Sequence, residues 1–306
     1  MLSALRKQGL SQADIARQLN RSPSTISREL RRNACPTDGH YRPSKANSRT
    51  RNRRSHSRRN AQFDASHFAI VHRYLRQCWS PEQIAGHLRL HRILLISHET
   101  IYRHIWADRA AGGNLYQHLR GASKQRRKRY RAYDSRGRLA GKRHITERPP
   151  SVETRNTIGH WEIDTVMGHG SKDCIVTLVE RKTGYLIIGK LKDRTKETLN
   201  QCVIPIIDAH GYHIKTITAD NGTEFHGYQD IEAATGVRFY FATPHHSWER
   251  GTNENTNGLI RQYLPKRTSM ANLTQQQCNS IALQLNARPR KRHGYRTPEE
   301  LFDGFT

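Results

Sequence analysis

Nowhere in the 306-residue chain do about 18 apolar residues run together, so no segment reads as a membrane-spanning helix. The N-terminus lacks the charged-then-apolar pattern of a secretory leader, and the chain is expected to be soluble, unexported and cytoplasmic. Cysteine is scarce: Cys35, Cys78, Cys174, Cys202 and Cys278 are scattered and form no C-x-x-C pair. That scatter argues against a structural zinc site or a disulfide framework, and reduced thiols are expected. Apolar residues supply 35% of the chain, below the usual globular share, so part of it is expected to be extended or exposed. Acid is also short, but only locally. Residues 1–150 carry 9 Asp and Glu against 33 Lys and Arg, a net of +24, whereas residues 151–306 carry 17 against 19, a net of +2.

A half-chain with that much positive charge repels itself unless a polyanion neutralises it. No basic amphipathic helix with an aromatic apolar face stands out, which disfavours a membrane surface and leaves nucleic acid as the expected partner. The basic half contains a weak internal repeat. SQADIARQLNRSPSTISREL (11–30) and SPEQIAGHLRLHRILLISHETIYRHI (80–105) align at Ser11/Ser80, Ile15/Ile84, Ala16/Ala85 and Leu19/Leu88. Beyond the connection they align again at Ser22/Ser97, Thr25/Thr100, Ile26/Ile101 and Arg28/Arg103. In each copy a serine reads as an N-cap, followed by apolar residues at helical spacing, a turn, a second serine cap and a second helix. The small Ala16 and Ala85 permit the close helix crossing that a helix-turn-helix requires. The second copy needs a longer loop. Such a motif sets the start of its second helix in the major groove. The expected DNA contacts are therefore Ser22, Ser24, Thr25, Arg28 and Arg31 in the first copy, and His98, Glu99, Tyr102 and Arg103 in the second. The bland alternative is a pair of ordinary helical hairpins with solvated polar residues.

Between the copies, YRPSKANSRTRNRRSHSRR (41–59) is almost devoid of apolar residues. It is expected to order only on DNA, with Arg53 and Arg54 on phosphates or in a minor groove. A second basic run, KQRRKRYR (124–131), offers Arg126, Arg127 and Arg129 in the same role. The expected organisation is a helix-turn-helix unit at 1–35, a basic flexible linker at 36–62 and a second helix-turn-helix-like unit at 63–120. A second basic linker at 121–150 then precedes a catalytic domain at 151–306.

From residue 151 the texture changes. HWEIDTVMG (160–168), CIVTLVER (174–181) and YLIIGKL (185–191) are separated by GSKD and KTG and read as an antiparallel meander. A helix over about 195–209, strands at 214–219 and 237–242, and helices over about 247–263 and 274–287 complete an α/β pattern with a mixed five-stranded sheet. Three acids fall where that pattern converges. Asp164 lies in the first, central strand, among apolar neighbours that make a lone charge costly. Asp220 ends the isolated strand in TADNGTEF (218–225). Glu254 sits on the helix of WERGTNENTNGLIRQYLPK (248–266), on one face with Asn257, Gly258 and Arg261. Three such carboxylates make an oxygen-rich site for hard cations such as Mg²⁺. Two ions there could activate a nucleophile and stabilise a leaving oxygen in phosphoryl transfer. Each acid taken singly is an ordinary turn or surface residue.

HWEIDTV, TADNGTEF and WERGTNENTNGLIRQYLPK resemble the three catalytic blocks of transposases of the insertion-sequence-thirty family. Their wider relatives are DDE transposases and retroviral integrases with a ribonuclease-H-like fold. SQADIARQLNRSPSTISRELRRN resembles that family's helix-turn-helix block, so the likeness covers nearly the whole chain. It implies that Asp164, Asp220 and Glu254 are a catalytic, metal-binding triad using Mg²⁺ or Mn²⁺, two ions per site. It also implies binding to double-stranded DNA at element ends and target, and a homodimer or higher oligomer in the active complex. Arg250, Asn257, Arg261 and Lys266 are expected near the DNA phosphates, with His160, Trp161, His245, His246 and Trp248 lining the DNA channel. Glu162, Glu224 and Glu249 are expected to be salt-bridging or solvated rather than ligands. Only ten residues precede Ser11, where family members carry a longer segment, so either a short first unit with a weaker DNA contact or a misassigned start codon is expected. The alternatives are a transcription regulator with a non-catalytic C-terminal domain, and a nuclease or resolvase without strand transfer. The acidic triad disfavours the regulator, which has no need of it.

Overall fold

The computed structural model describes residues 1–56, 62–120, 141–244 and 246–304. The run 124–131, with Arg126, Arg127 and Arg129, therefore lies outside the described residues, as does His245. The chain divides into two compact units, residues 1–68 and 69–306.

In the first unit, α1 (Leu2–Lys7), α2 (Gln12–Gln18) and α3 (Pro23–Asn33) close around Ile15, Ala16, Ile26 and Leu30. Leu2, Leu5 and Leu10 pack against them, so the short first helix does contribute to this core. The serine caps form as the pattern requires: Ser11 Oγ accepts from Asp14 N–H, and Ser22 Oγ from Thr25 N–H. The segment expected to order only on DNA is corrected by α4 (Pro43–Ser55), a helix with one buried residue, Ala46. Propensity and apolar area do not explain α4; polar contacts with α3 do. Arg49 donates to the carbonyls of Asn33 and Ala34 at 2.7 and 2.6 Å, and Arg53 to Arg32 O and Asn33 Oδ1 at 3.0 and 2.7 Å. These guanidiniums satisfy the unpaired carbonyls at the C-terminus of α3 and complement its dipole.

The second unit begins within α5 (Ala65–Arg76), followed by α6 (Pro81–Leu90) and α7 (His98–Ala110). Ser80 and Ser97 repeat the caps, on Gln83 and Thr100. Val71, Leu75, Ile84, Leu88, Ile101 and Ile105 are fully buried. Gly86 lies flat against the Tyr295 ring, where any Cβ would overlap it. This close approach joins α6 to the C-terminal part of the same unit.

After the short α8 (Ser151–Thr154) comes a five-stranded sheet in the order β3-β2-β1-β4-β5. Strands β1 (His160–Met167), β2 (Cys174–Glu180) and β3 (Leu186–Leu191) form the antiparallel meander. Strands β4 (Thr216–Ala219) and β5 (Arg238–Phe241) run parallel to β1, reached through α9 (Lys196–His210) and α10 (Tyr228–Thr235). The strands are buried on both faces, as a sheet covered by helices demands. Trp161, Ile163, Leu178 and Phe239 pack with Leu199, Val203 and Ile207 of α9 on one face. Val166, Val179 and Ile188 pack on the other with α11 (Gly251–Ile260) and α12 (Gln275–Asn286). The last helix, α13 (Pro298–Asp303), inserts Phe302 into the α9 side. Among the described residues no helix is long and apolar enough to cross a membrane. All five cysteines are free thiols.

Candidate active site

The β1–β4 register pairs His160 with Thr216 and Glu162 with Thr218. Continued two residues further, it sets Asp164 beside Asp220 at the C-terminal end of β4. Strand alternation puts Asp164 on the face covered by α11, opposite to Trp161 and Ile163. Asn257 Nδ2 donates to Asp164 Oδ2 at 2.9 Å, and Thr165 N–H to Asp164 Oδ1 at 2.9 Å. Burial raises the Asp164 pKa; Arg250 opposes that rise and Asp220 adds to it.

Asp220 opens a tight turn in which its Oδ1 accepts from Gly222 N–H at 2.8 Å. Asn221 holds the turn by donating to Ala242 O at 2.8 Å and accepting from Lys142. A Cβ at 222 would crowd the carboxylates of Glu224 and Asp220, so the missing side chain of Gly222 suits this close turn. Glu224 is buried, accepting from Thr165 Oγ at 2.7 Å and paired with Arg194 at 3.1 Å.

Arg250 lies between the two aspartates, at 3.5 Å from Asp164 and 3.2 Å from Asp220. It was expected on DNA phosphates; here its charge balances the carboxylates instead. Glu254 is exposed on α11, one turn before Asn257. Asp164 and Asp220 are thus brought together through Arg250, while Glu254 stands exposed on the neighbouring helix; among the described residues no group of three His, Cys, Asp or Glu is placed to hold a metal. The donor set nonetheless fits a divalent cation. Two half-buried carboxylates already share one cationic partner, and oxygen donors are what hard ions select.

Glu162 explains how α11 is placed. Fully buried, it pairs with Arg181 at 2.8 Å and accepts from Asn253 N–H at 2.8 Å, in the first turn of α11. Asn253 Oδ1 in turn accepts from Thr177 of β2, and its Nδ2 reaches Glu162 O. The expectation left Glu162 either salt-bridging or solvated; it is ion-paired and buried, and its anchoring of the helix was not foreseen. Its one signal was an acid in a strand that is otherwise core.

Other expectations are redistributed. His160 and Trp161 are core residues rather than channel lining: His160 bonds Thr216 and Thr157, and Trp161 Nε1 donates to His213 O. Trp248 is 69% exposed and stacks on His246. Arg261 donates to Met167 O and Leu264 O beyond the end of α11, and Lys266 is exposed. Ser22, Ser24 and Thr25 are exposed at the start of α3, Arg28 in its middle with its Nε on Ser24 O, and Arg31 is exposed in its last turn. On α7, His98, Glu99 and Arg103 are exposed and Tyr102 half-buried. Arg54 is exposed on α4.

A helix-turn-helix domain followed by a ribonuclease-H-like sheet with paired aspartates defines a DNA-processing protein of the integrase class. A helix-turn-helix domain family matches residues 2–33 and an integrase core domain family matches residues 155–247, which include Asp164 and Asp220. The transposase for insertion sequence element IS4351 of Bacteroides fragilis is 39% identical over 293 residues, covering 96% of this chain and 90% of that protein. The transposase InsI for insertion sequence element IS30A of Escherichia coli (strain K12) is 39% identical over 301 residues, covering 94% and 78%. The transposase for insertion sequence element IS1086 of Cupriavidus metallidurans is 38% identical over 305 residues, covering 94% and 87%. The chain belongs to the insertion-sequence-thirty family of DNA transposases, enzymes of the DDE type that use divalent metal ions.

Proposed function

We propose that this transposase binds the terminal inverted repeats of its own element, cleaves the ends and joins the freed 3′-OH to target DNA. The observation that carries the reading is the pairing of Asp164 and Asp220 across β1 and β4, in a domain of integrase type. Asp164, Asp220 and Glu254 would hold the metal, Mg²⁺ or Mn²⁺ and two ions per site, with Glu254 brought in from α11. Bound there, the ions supply Lewis-acid activation of the nucleophile and stabilisation of the leaving oxygen. The protein's part is placement. Asn257 orients Asp164, the Asn221–Gly222 turn orients Asp220, and Glu162 fixes the start of the helix that carries Glu254. Arg250 keeps the two carboxylates from repelling each other. Water and then the 3′-OH act as nucleophiles, with no covalent protein–DNA intermediate. The helix-turn-helix pairs α2–α3 and α6–α7 read duplex DNA, and two ends require at least a dimer.

The test is a strand-transfer assay with end DNA, Mg²⁺ and a supercoiled target. Asp220→Asn is expected to abolish cleavage and joining while leaving end binding intact. Near-parental joining by that variant would remove Asp220 from the site.

A further inference from the structure

A cleft of about 420 Å³ opens between α6 and the start of α11, away from the paired aspartates. Six cations line it: Arg120, Arg155, Arg288, Arg290, Lys291 and Arg292; Glu82 is the one carboxylate, and it is paired with Lys291 at 2.6 Å. The hydrogen bonds of the arginines go to neutral groups. Arg288 donates to Gln262 and Tyr263, Arg290 to Leu285 O, and Arg120 to Asn255. Two buried polar atoms of lining residues, Thr252 Oγ and Arg288 Nε, have no hydrogen-bond partner among the described residues. Buried polar atoms are nearly always paired, so the wall of the cleft is short of hydrogen-bond acceptors for its own donors. Burial and the neighbouring guanidiniums of Arg288, Arg292 and Arg120 lower the Arg290 pKa, so the cluster opposes its own charge. The N-cap Ser80 and first-turn Glu82 of α6, with Gly251 and Thr252 of the first turn of α11, complete the walls. An anion set there meets the positive ends of two helix dipoles as well as the arginines.

We propose that this cleft is a DNA-backbone site that takes a phosphodiester of duplex DNA between α6 and the first turn of α11. The proposal rests on the reading of the chain as a DNA transposase, and it adds an anchoring point outside the recognition helices and outside the metal site. Asn255 and Thr256 face the cleft while Asn257 reaches Asp164. A backbone held in the cleft therefore bears on the same helix that serves the active site, and α6 couples it to the second helix-turn-helix.

Arg120 and Arg155 are exposed, so the double variant Arg120→Gln/Arg155→Gln should fold. In full-length protein binding a fluorescent duplex across a salt titration, its log–log slope is expected to fall by about 0.9 for each phosphate no longer neutralised. The control Lys172→Gln/Arg238→Gln removes two exposed charges elsewhere in the unit and should leave the slope unchanged. An unaltered slope in the cleft variant, or an equal fall in the control, overturns the proposal. Calorimetry with inorganic tripolyphosphate separates the sources of phosphate. A binding heat abolished in the cleft variant, with an unaltered DNA slope, assigns the cleft to a free polyphosphate and overturns the DNA assignment. A parent protein without salt-dependent DNA binding fails the transposase reading itself, before any variant is compared.

Discussion

Asp164 is held half-buried on the central strand, where ionisation is opposed by burial and by Asp220 and eased by Arg250. The sign of its effect on stability follows. A carboxyl group whose folded pKa lies above its unfolded value favours folding fully only below the unfolded value, and that contribution is lost as pH rises through the folded pKa. At neutral pH without metal, the charge on Asp164 therefore opposes the fold. Asp164→Asn, measured in chelator, is expected to melt above the parent at pH 7, by about 2–4 °C for each kcal/mol relieved. The gap should close as pH falls below about 4, where the parent carboxyl is protonated too. A variant that melts lower at pH 7 would mean that Arg250 and Asn257 outweigh the burial. At the other end of the chain, Arg28 is exposed on the first recognition helix with its Nε on Ser24 O. Arg28→Ala should lose about 1–3 kcal/mol of discrimination between end DNA and random DNA. Equal losses on the two DNAs, read by competition binding, would make Arg28 a phosphate contact instead.

At the scale of elements, polar contacts hold α4 and set the first turn of α11, whose last turn packs through apolar area. Helix α4 buries one alanine and stays beside α3 through Arg49 and Arg53 on the α3 carbonyls. Hydrogen bonds from a charged donor contribute roughly 1.5–3 kcal/mol each when shielded. Arg49 is half-buried, so Arg49→Ala should destabilise residues 1–56 by about 1–2 kcal/mol, visible as faster amide exchange at the C-terminal end of α3. Unchanged exchange there would show that α4 docks by other means. Helix α11 is bound by Glu162 at its first turn and by Leu259 and Ile260 at its last. Between them it carries the exposed Glu254, one turn before an Asn257 already engaged with Asp164.

For the whole molecule, the division at residues 68 and 69 assigns the helix-turn-helix of residues 2–33 to a unit of its own and the α6–α7 pair to the unit that holds the sheet. If the α6–α7 pair reads DNA as proposed, two readers in separate units suit a bipartite terminal site. Footprinting of the full chain should give two protected patches on each end. Removing residues 1–62 should erase one patch and weaken binding without abolishing it, because α6 and α7 keep their own core. One continuous footprint, unchanged in extent by the truncation, would leave the first unit as a spacer or a dimerisation element.

The periodic features were legible in the amino-acid sequence because they rest on neighbouring residues. Four serine caps formed where their spacing set them, the meander followed its Gly- and Asp-containing turns, and Asp164 fell on the central strand. The charge asymmetry between the halves gave the nucleic-acid partner, yet averaging hid the run Arg288–Arg292 within a nearly neutral half. Tertiary structure alone decided contacts between residues far apart in the chain. It set Arg250 between two aspartates, tied Glu162 to the first turn of α11, ordered α4 through Arg49 and Arg53, and gathered Arg120 and Arg155 with the 288–292 run. Periodicity reports which face of an element is apolar and is silent about which charge meets which. A charged side chain finds its partner through the approach of whole elements, and that approach is fixed by how each unit packs as a whole.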